Sequence, residues 1–394
     1  MKRRATAAAA LALAATMTVA PVLAQPLTPF AALERLCTAE RLQADWFAPT
    51  LLAAIPLTAV EGVMAELRGE FGRCLRVATP PEGFALIFER GIAVVLIRLD
   101  AQGRITALFF RHYIARLISV EAAIAMLRGF PGKASLLLLE GGSEVAAVQP
   151  DASLAIGSAF KLSVLAALKA EIAAGRRSWG ETVRLRPEWK SLPSGVLQNS
   201  PDGTELTLQR LAELMISISD NTATDALIHI LGRALVEAVA PPRNRPFLTT
   251  REAFVLKDPA NRDLLDRYRG GNEAARRMVI EEAARRPLPG AGAFSAQPAA
   301  PDVEWFYSAR EVCAALTAVA DLPLMGINSG PARASDWARV AYKGGSEPGI
   351  LNLSSLVQHR SGKSYCLVTT WNNESPLREI RLIALHTGLL ELLK

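Results

Sequence analysis

Phe160, Val164, Leu165, Leu168 and Ile172 recur at three- and four-residue steps and stop at Gly175, which predicts a helix opening at Ser158 with a largely buried face. Around it the period shortens to two. Leu136–Glu140 and Glu144–Gln149 flank Gly141-Gly142 as a hairpin, and Arg339–Lys343, Leu351–His359 and Tyr365–Trp371 read as strands ahead of an amphipathic final helix over Leu377–Leu393. Ser119–Arg128, closed by Gly129, reads as a bridging helix. Residues 27–117 carry a self-contained set. Thr28 caps a helix with Pro29 at its first position, Thr58 and Glu61 form a capping-box pattern for a second helix ending near Gly72, and four strand-like runs follow. Those runs are Cys74–Ala78, Phe84–Glu89, Ile92–Leu99 and Ile105–Arg111, so the unit is expected to be α+β, a small curved antiparallel sheet wrapped over a helix. Residues 241–301 are rich in proline and charge and read as an insertion. Helices are predicted there over Arg251–Lys257, Leu264–Arg269 and Asn272–Arg285, followed by an exposed loop over Arg286–Pro301.

The N-terminus changes where the chain is expected to work. Lys2-Arg3-Arg4, an Ala/Leu-rich run to Ala20 and the small-residue site Val22-Leu23-Ala24 predict a secretory signal over 1–24, cut after Ala24, and a periplasmic or secreted product. No other segment is long and apolar enough to span a membrane. Removing the three basic residues takes the formal charge of +6 down to +3, and the arginines are scattered without interleaved aromatics, which argues against a nucleic-acid partner. His112, His229, His359 and His386 form no cluster, and neither they nor the cysteines have metal-site spacing, so neither metal nor cofactor is expected. Four cysteines in an oxidising compartment permit two disulfides in three pairings; Cys37–Cys74 with Cys313–Cys366 keeps each bridge inside one unit.

The chemistry sits in three short motifs: Ser158-Ala159-Phe160-Lys161, Ser219-Asp220-Asn221 and Lys343-Gly344-Gly345. A Ser-x-x-Lys alone is expected about 0.5 times by chance in such a chain, but the three together have odds of order 10⁻⁴ to 10⁻³. Positions i and i+3 share a helix face, so the Ser158 hydroxyl stands beside the Lys161 amine, a nucleophile next to a base. Burial and a second ammonium, Lys343, both favour the neutral amine a base must have. Ser219 is placed to relay a proton, Asn221 to orient Lys161 and a substrate amide, and Asp220 to hold the loop. The N–H groups of Ser158 and Ser346 are candidates for an oxyanion hole, and Gly344 and Gly345 let a substrate backbone approach the strand.

This set resembles the penicillin-binding and class A β-lactamase family of serine hydrolases, marked by S-x-x-K, S-D-N and K-T-G. The resemblance runs from near Ser135 to the C-terminus and implies an antiparallel sheet with helices on both sides over residues 119–394. Residues 27–117 weakly resemble the steroid-isomerase-like (NTF2-like) domains that precede a β-lactamase-like domain in a subgroup of these hydrolases. The resemblance implies acylation at Ser158 by a β-lactam or a related amide or ester, with Ser158, Lys161, Ser219 and Lys343 catalytic and Asn221, Gly344, Gly345 and Ser346 binding substrate. Two departures stand out. Gly344 lacks the hydroxyl that would hold a substrate carboxylate, which Ser346 would partly replace, and no Glu-x-x-x-Asn lies between Asn221 and Lys343 to supply the deacylating base. Glu252 lies in the corresponding stretch, although Thr249-Thr250-Arg251-Glu252 reads equally as a capping box. The alternatives are a D-alanyl-D-alanine peptidase or esterase of the same fold, or a non-hydrolytic protein that binds β-lactams or peptidoglycan.

Overall fold

Helix α1 (Pro29–Thr38) begins where Thr28 Oγ1 accepts the N–H of Ala31, and α2 (Pro49–Ala54) and α3 (Leu57–Phe71) follow. This computed structural model describes residues 27–394 except 81, 82, 291, 293, 295 and 296, so the signal expected over 1–24 lies outside the described residues. Helix α3 does not use the Thr58/Glu61 pattern: it opens at Leu57 behind Pro56, whose fixed φ already suits the entry, with no side-chain cap. Strands β1 (Cys74–Ala78), β2 (Phe84–Phe88), β3 (Gly91–Leu99) and β4 (Ile105–Ala115) form an antiparallel meander in that order. Leu33, Leu36, Met64, Leu67 and Phe71 from the helices pack on Leu86, Phe88 and Val95 of the sheet, and the expected Cys37–Cys74 bridge ties α1 to β1.

After α4 (Val120–Arg128) the chain enters a five-stranded antiparallel sheet of order β11-β12-β13-β5-β6. Its strands are β5 (Lys133–Glu140), β6 (Ser143–Val148), β11 (Arg339–Glu347), β12 (Ile350–Gln358) and β13 (Ser364–Asn372). Short pairs join β7 (Leu154–Ala155) to β10 (Phe306–Tyr307) and β8 (Thr182–Arg184) to β9 (Glu205–Thr207). The helices are α5 (Lys161–Ala173), α6 (Leu208–Ser217), α7 (Asn221–Leu231), α8 (Arg233–Val239), α9 (Thr250–Lys257), α10 (Arg262–Gly270), α11 (Glu273–Ala283), α12 (Ala309–Val319) and α13 (Glu379–Leu392). Strand alternation sorts them into two layers. Leu137, Cys366 and Val368 face the core of α5, α6, α7 and α12, whereas Leu136, Leu138 and Leu367 face α4 and α13. The Cys313–Cys366 bridge pins α12 to β13.

The last helix departs from its expected amphipathic form. Ile380 and Ala384 of α13 join the core of the first sheet, while Leu382, Leu385 and Leu389 join that of the second. Residues 27–117 are therefore not self-contained, because α13 is covered on two sides and completes both cores. Even its histidine is buried, with His386 between the hydroxyls of Ser355 and Thr369 at 2.9 Å each.

Candidate active site

Ser158 does not lie in the first turn of an α-helix. It sits in a 3-10 turn, Gly157–Phe160, and α5 begins at Lys161. Since i and i+3 eclipse in a 3-10 turn, the change sharpens the Ser158–Lys161 juxtaposition. The turn is fixed from both ends. Phe160 stacks on Trp305 at 3.7 Å between ring centroids, and Gly157, at φ +48°, lets β11 cross so closely that a Cβ there would sit 3.1 Å from the Ser346 amide nitrogen. A Cβ on Gly345 would in turn collide with the Ser158 amide nitrogen. The crossing thus brings the Ser158 and Ser346 amides to one gap beside the serine, and only glycine is tolerated at 157 and 345.

Lys161 is 0% exposed. Its Nζ donates to the Ser219 carbonyl oxygen at 2.6 Å, Ser219 Oγ at 3.0 Å and Asn221 Oδ1 at 2.6 Å. The Ser219 loop presents these acceptors because Asp220 anchors it. One carboxylate oxygen caps α7 at the Ala223 N–H (2.8 Å), and the other accepts the N–H groups of Val196 and Leu197. Helix α7 accordingly opens at Asn221, and Ser219 adopts φ +57°. From edge strand β11, Lys343 Nζ donates to Ser219 Oγ at 3.1 Å and to the Gly344 carbonyl oxygen at 2.6 Å. One hydroxyl therefore bridges two amines. Burial, then the neighbouring charge of Lys343, pushes Lys161 well below the usual lysine range, against the pull of Asp225, Asp220 and Glu347. Burial alone brings Lys343 down to about 7.

Ser158, Ser219, Asn221 and Lys343 line a cleft of about 540 Å³, within the range that holds a small molecule, with Lys161 buried behind them. Its opposite wall is α9, from which Thr250, Ala253, Phe254 and Lys257 face the cleft at helical spacing. Glu252 faces away, which corrects its assignment as a base: its carboxylate is bound by Arg233 and by the Thr249 N–H in the capping box, outside the cleft lining. The other expected residues, Ser158, Ser219, Asn221, Lys343, Gly344, Gly345 and Ser346, all line it.

Sequence reasoning missed two side chains on β11. A Cβ on Gly344 would collide with the Tyr342 hydroxyl, so that phenol fills the volume a threonine or serine side chain would occupy, and the ring in turn packs where a Cβ on Gly330 would be. Among the described residues Tyr342 Oη makes no hydrogen bond, and burial raises its pKa, so it stays a neutral donor. Glu347, four residues after Lys343, also lines the cleft and binds Lys257 of α9. Strand alternation around the Lys-Gly-Gly motif was the available signal for both.

Residues 119–241, which include Ser158, Lys161, Ser219 and Asn221, match the Beta-lactamase enzyme family. No curated protein matches the chain. Among solved structures, a β-lactamase from Sphaerobacter thermophilus DSM 20745 is similar at 21% identity, with 69% of this chain and 94% of that one covered and a TM-score of 0.49. PBP-A is similar at 17% identity, with 70% and 96% covered and a TM-score of 0.45. An ancestral class A β-lactamase is similar at 18% identity, with 69% and 98% covered and a TM-score of 0.48.

Proposed function

We propose that the protein is an exported serine hydrolase that forms an acyl-enzyme at Ser158 with β-lactams or related amides and esters. The observation that carries this reading is the buried Lys161 amine, hydrogen-bonded to Ser219 Oγ and Asn221 Oδ1 one turn from the serine. A neutral Lys161 takes the Ser158 proton as Oγ attacks the substrate carbonyl. The amides of Ser158 and Ser346 receive the developing oxyanion, and Ser219 passes a proton from the lysine pair to the leaving nitrogen or oxygen. Lys343 and the Tyr342 hydroxyl hold a carboxylate on the substrate. Residues 27–117 act as an accessory module of the steroid-isomerase-like kind. A peptidase or esterase acting on D-amino-acid peptides uses the same groups.

Intact-mass spectrometry after incubation with a penicillin and a cephalosporin tests this. The expected result is an adduct of β-lactam mass mapped to Ser158, absent in Ser158→Ala and formed roughly 10²–10⁴ times more slowly in Lys161→Ala, the usual cost of losing a general base. An adduct on another residue, or neither adduct nor turnover with any β-lactam or D-alanyl ester, overturns the reading.

A further inference from the structure

We propose that Glu347, at the end of β11 and bound by Lys257 of α9, is the base that hydrolyses the Ser158 acyl-enzyme; the proposal rests on the acyl-serine reading above. Along β11 the residues Lys343, Gly345 and Glu347 share one face. The first touches Ser219, the second abuts the Ser158 amide, and the third ends on Lys257. The carboxylate therefore belongs to the same face as the serine, and the Lys161 and Glu347 charges act on each other. Its side chain keeps 26% of its surface open, whereas Glu304 behind it is fully buried.

A purely structural clamp between α9 and β11 needs one carboxylate for one lysine. Here two carboxyl groups converge on Lys257, and Glu304 Oε2 has no hydrogen-bond partner. Removing such groups from water is costly, and an apolar contact of the same size serves a clamp as well. Burial and the adjacent Glu347 push Glu304 upward, against the pull of Lys257. Burial opposes ionisation of Glu347, but the Lys257 ammonium outweighs it and holds Glu347 below its ordinary value. The result is one cleft-facing carboxylate kept ionised by a buried ammonium. In the hydrolytic step a water oxygen bonds to the acyl carbonyl carbon while its proton passes to Glu347. The tetrahedral adduct then collapses, the carbon–Ser158 Oγ bond breaks, Oγ takes a proton from the lysine pair through Ser219, and the proton held by Glu347 returns to that pair through the solvent of the cleft, leaving a free acid, the serine and the ionised Glu347.

The test follows the penicillin G adduct by intact mass after excess drug is removed from the full-length protein. Glu347→Gln is expected to acylate within about threefold of the wild-type rate and to lose the adduct roughly 10²–10³ times more slowly. Glu347→Asp, which keeps the charge one methylene shorter, is expected to recover part of the rate. Equal decay in wild type and Glu347→Gln, a wild-type adduct that never decays, or parallel losses in acylation and deacylation with a lowered melting temperature in both variants overturns the assignment. Absence of any Ser158 adduct together with absence of turnover defeats the underlying reading instead.

Discussion

Lys161 and Lys257 stand on opposite walls of one cleft, equally hidden from water, yet their surroundings drive them to opposite protonation states. Lys161 meets a carbonyl, a hydroxyl and an amide oxygen, with a second lysine near by, and burial pushes it well below the lysine range. Lys257 meets Glu304 and Glu347, which raise it above its ordinary value despite the same burial. Burial sets the cost of a charge, and the partner decides whether the cost is met. The serine wall is thus arranged to take a proton, and the facing wall to keep a carboxylate ionised.

The sharpest way to break this contrast is to give Lys161 the partner it lacks. Asn221→Asp is nearly isosteric and places a carboxylate oxygen where Oδ1 now lies, 2.6 Å from Nζ. The new anion favours the ammonium, so the pKa of Lys161 rises. Less of the amine is then neutral at any given pH. Acylation of Ser158 at neutral pH is expected to fall roughly 10- to 10³-fold, and the ratio of the variant to the wild-type rate to recover as pH is raised, read from the two pH profiles of adduct formation. A loss of the same size at every pH means that the amide's contact with substrate, not the lysine's charge, was removed.

How much of this could be read beforehand differs along the chain for physical reasons. Ser158, Lys161, Ser219 and Lys343 could be singled out as a candidate set because each motif holds fixed spacings within a single turn or strand. The period-two runs likewise marked the strands to within a few residues. Thr249-Thr250-Arg251-Glu252 was read correctly as a capping box, but which face of α9 meets the cleft is set by tertiary docking. Asp225, buried and raised to about 7, receives the N–H groups of Thr250 and Arg251 and so rotates Thr250 inward and Glu252 outward. No local pattern records that contact. The sharing of α13 between two cores was hidden for the same reason, since a helix covered on two sides loses the one-sided stripe by which periodicity is recognised.

A smaller effect separates the two amines on the serine wall. Lys343 is lowered to about 7, so in the free protein it is mostly charged below that pH and mostly neutral above it. If its ammonium attracts the substrate carboxylate, the acylation rate constant at low substrate falls as pH rises through about 7, and about tenfold is lost one unit above. Arginine cannot lose its proton in this range, so Lys343→Arg is expected to abolish the descending limb whatever its rate at the plateau. Persistence of that limb in Lys343→Arg assigns it to another group.

The smallest expected effect tests what replaces the missing side chain at 344. Tyr342→Phe keeps the ring that packs against Gly330 and removes only the hydroxyl occupying the volume above Gly344. Because that hydroxyl has no hydrogen-bond partner among the described residues, its loss should leave the melting temperature unchanged. A net hydrogen bond of about 1 kcal/mol to a bound carboxylate corresponds to about a fivefold rise in KM, with kcat little altered. The comparison substrate is the methyl ester of the same β-lactam, which lacks the anion. Tyr342→Phe should bind that ester as the wild type does. Equal losses on acid and ester show that the phenol shapes the cleft without reading the carboxylate, leaving that task to Lys343 and Ser346.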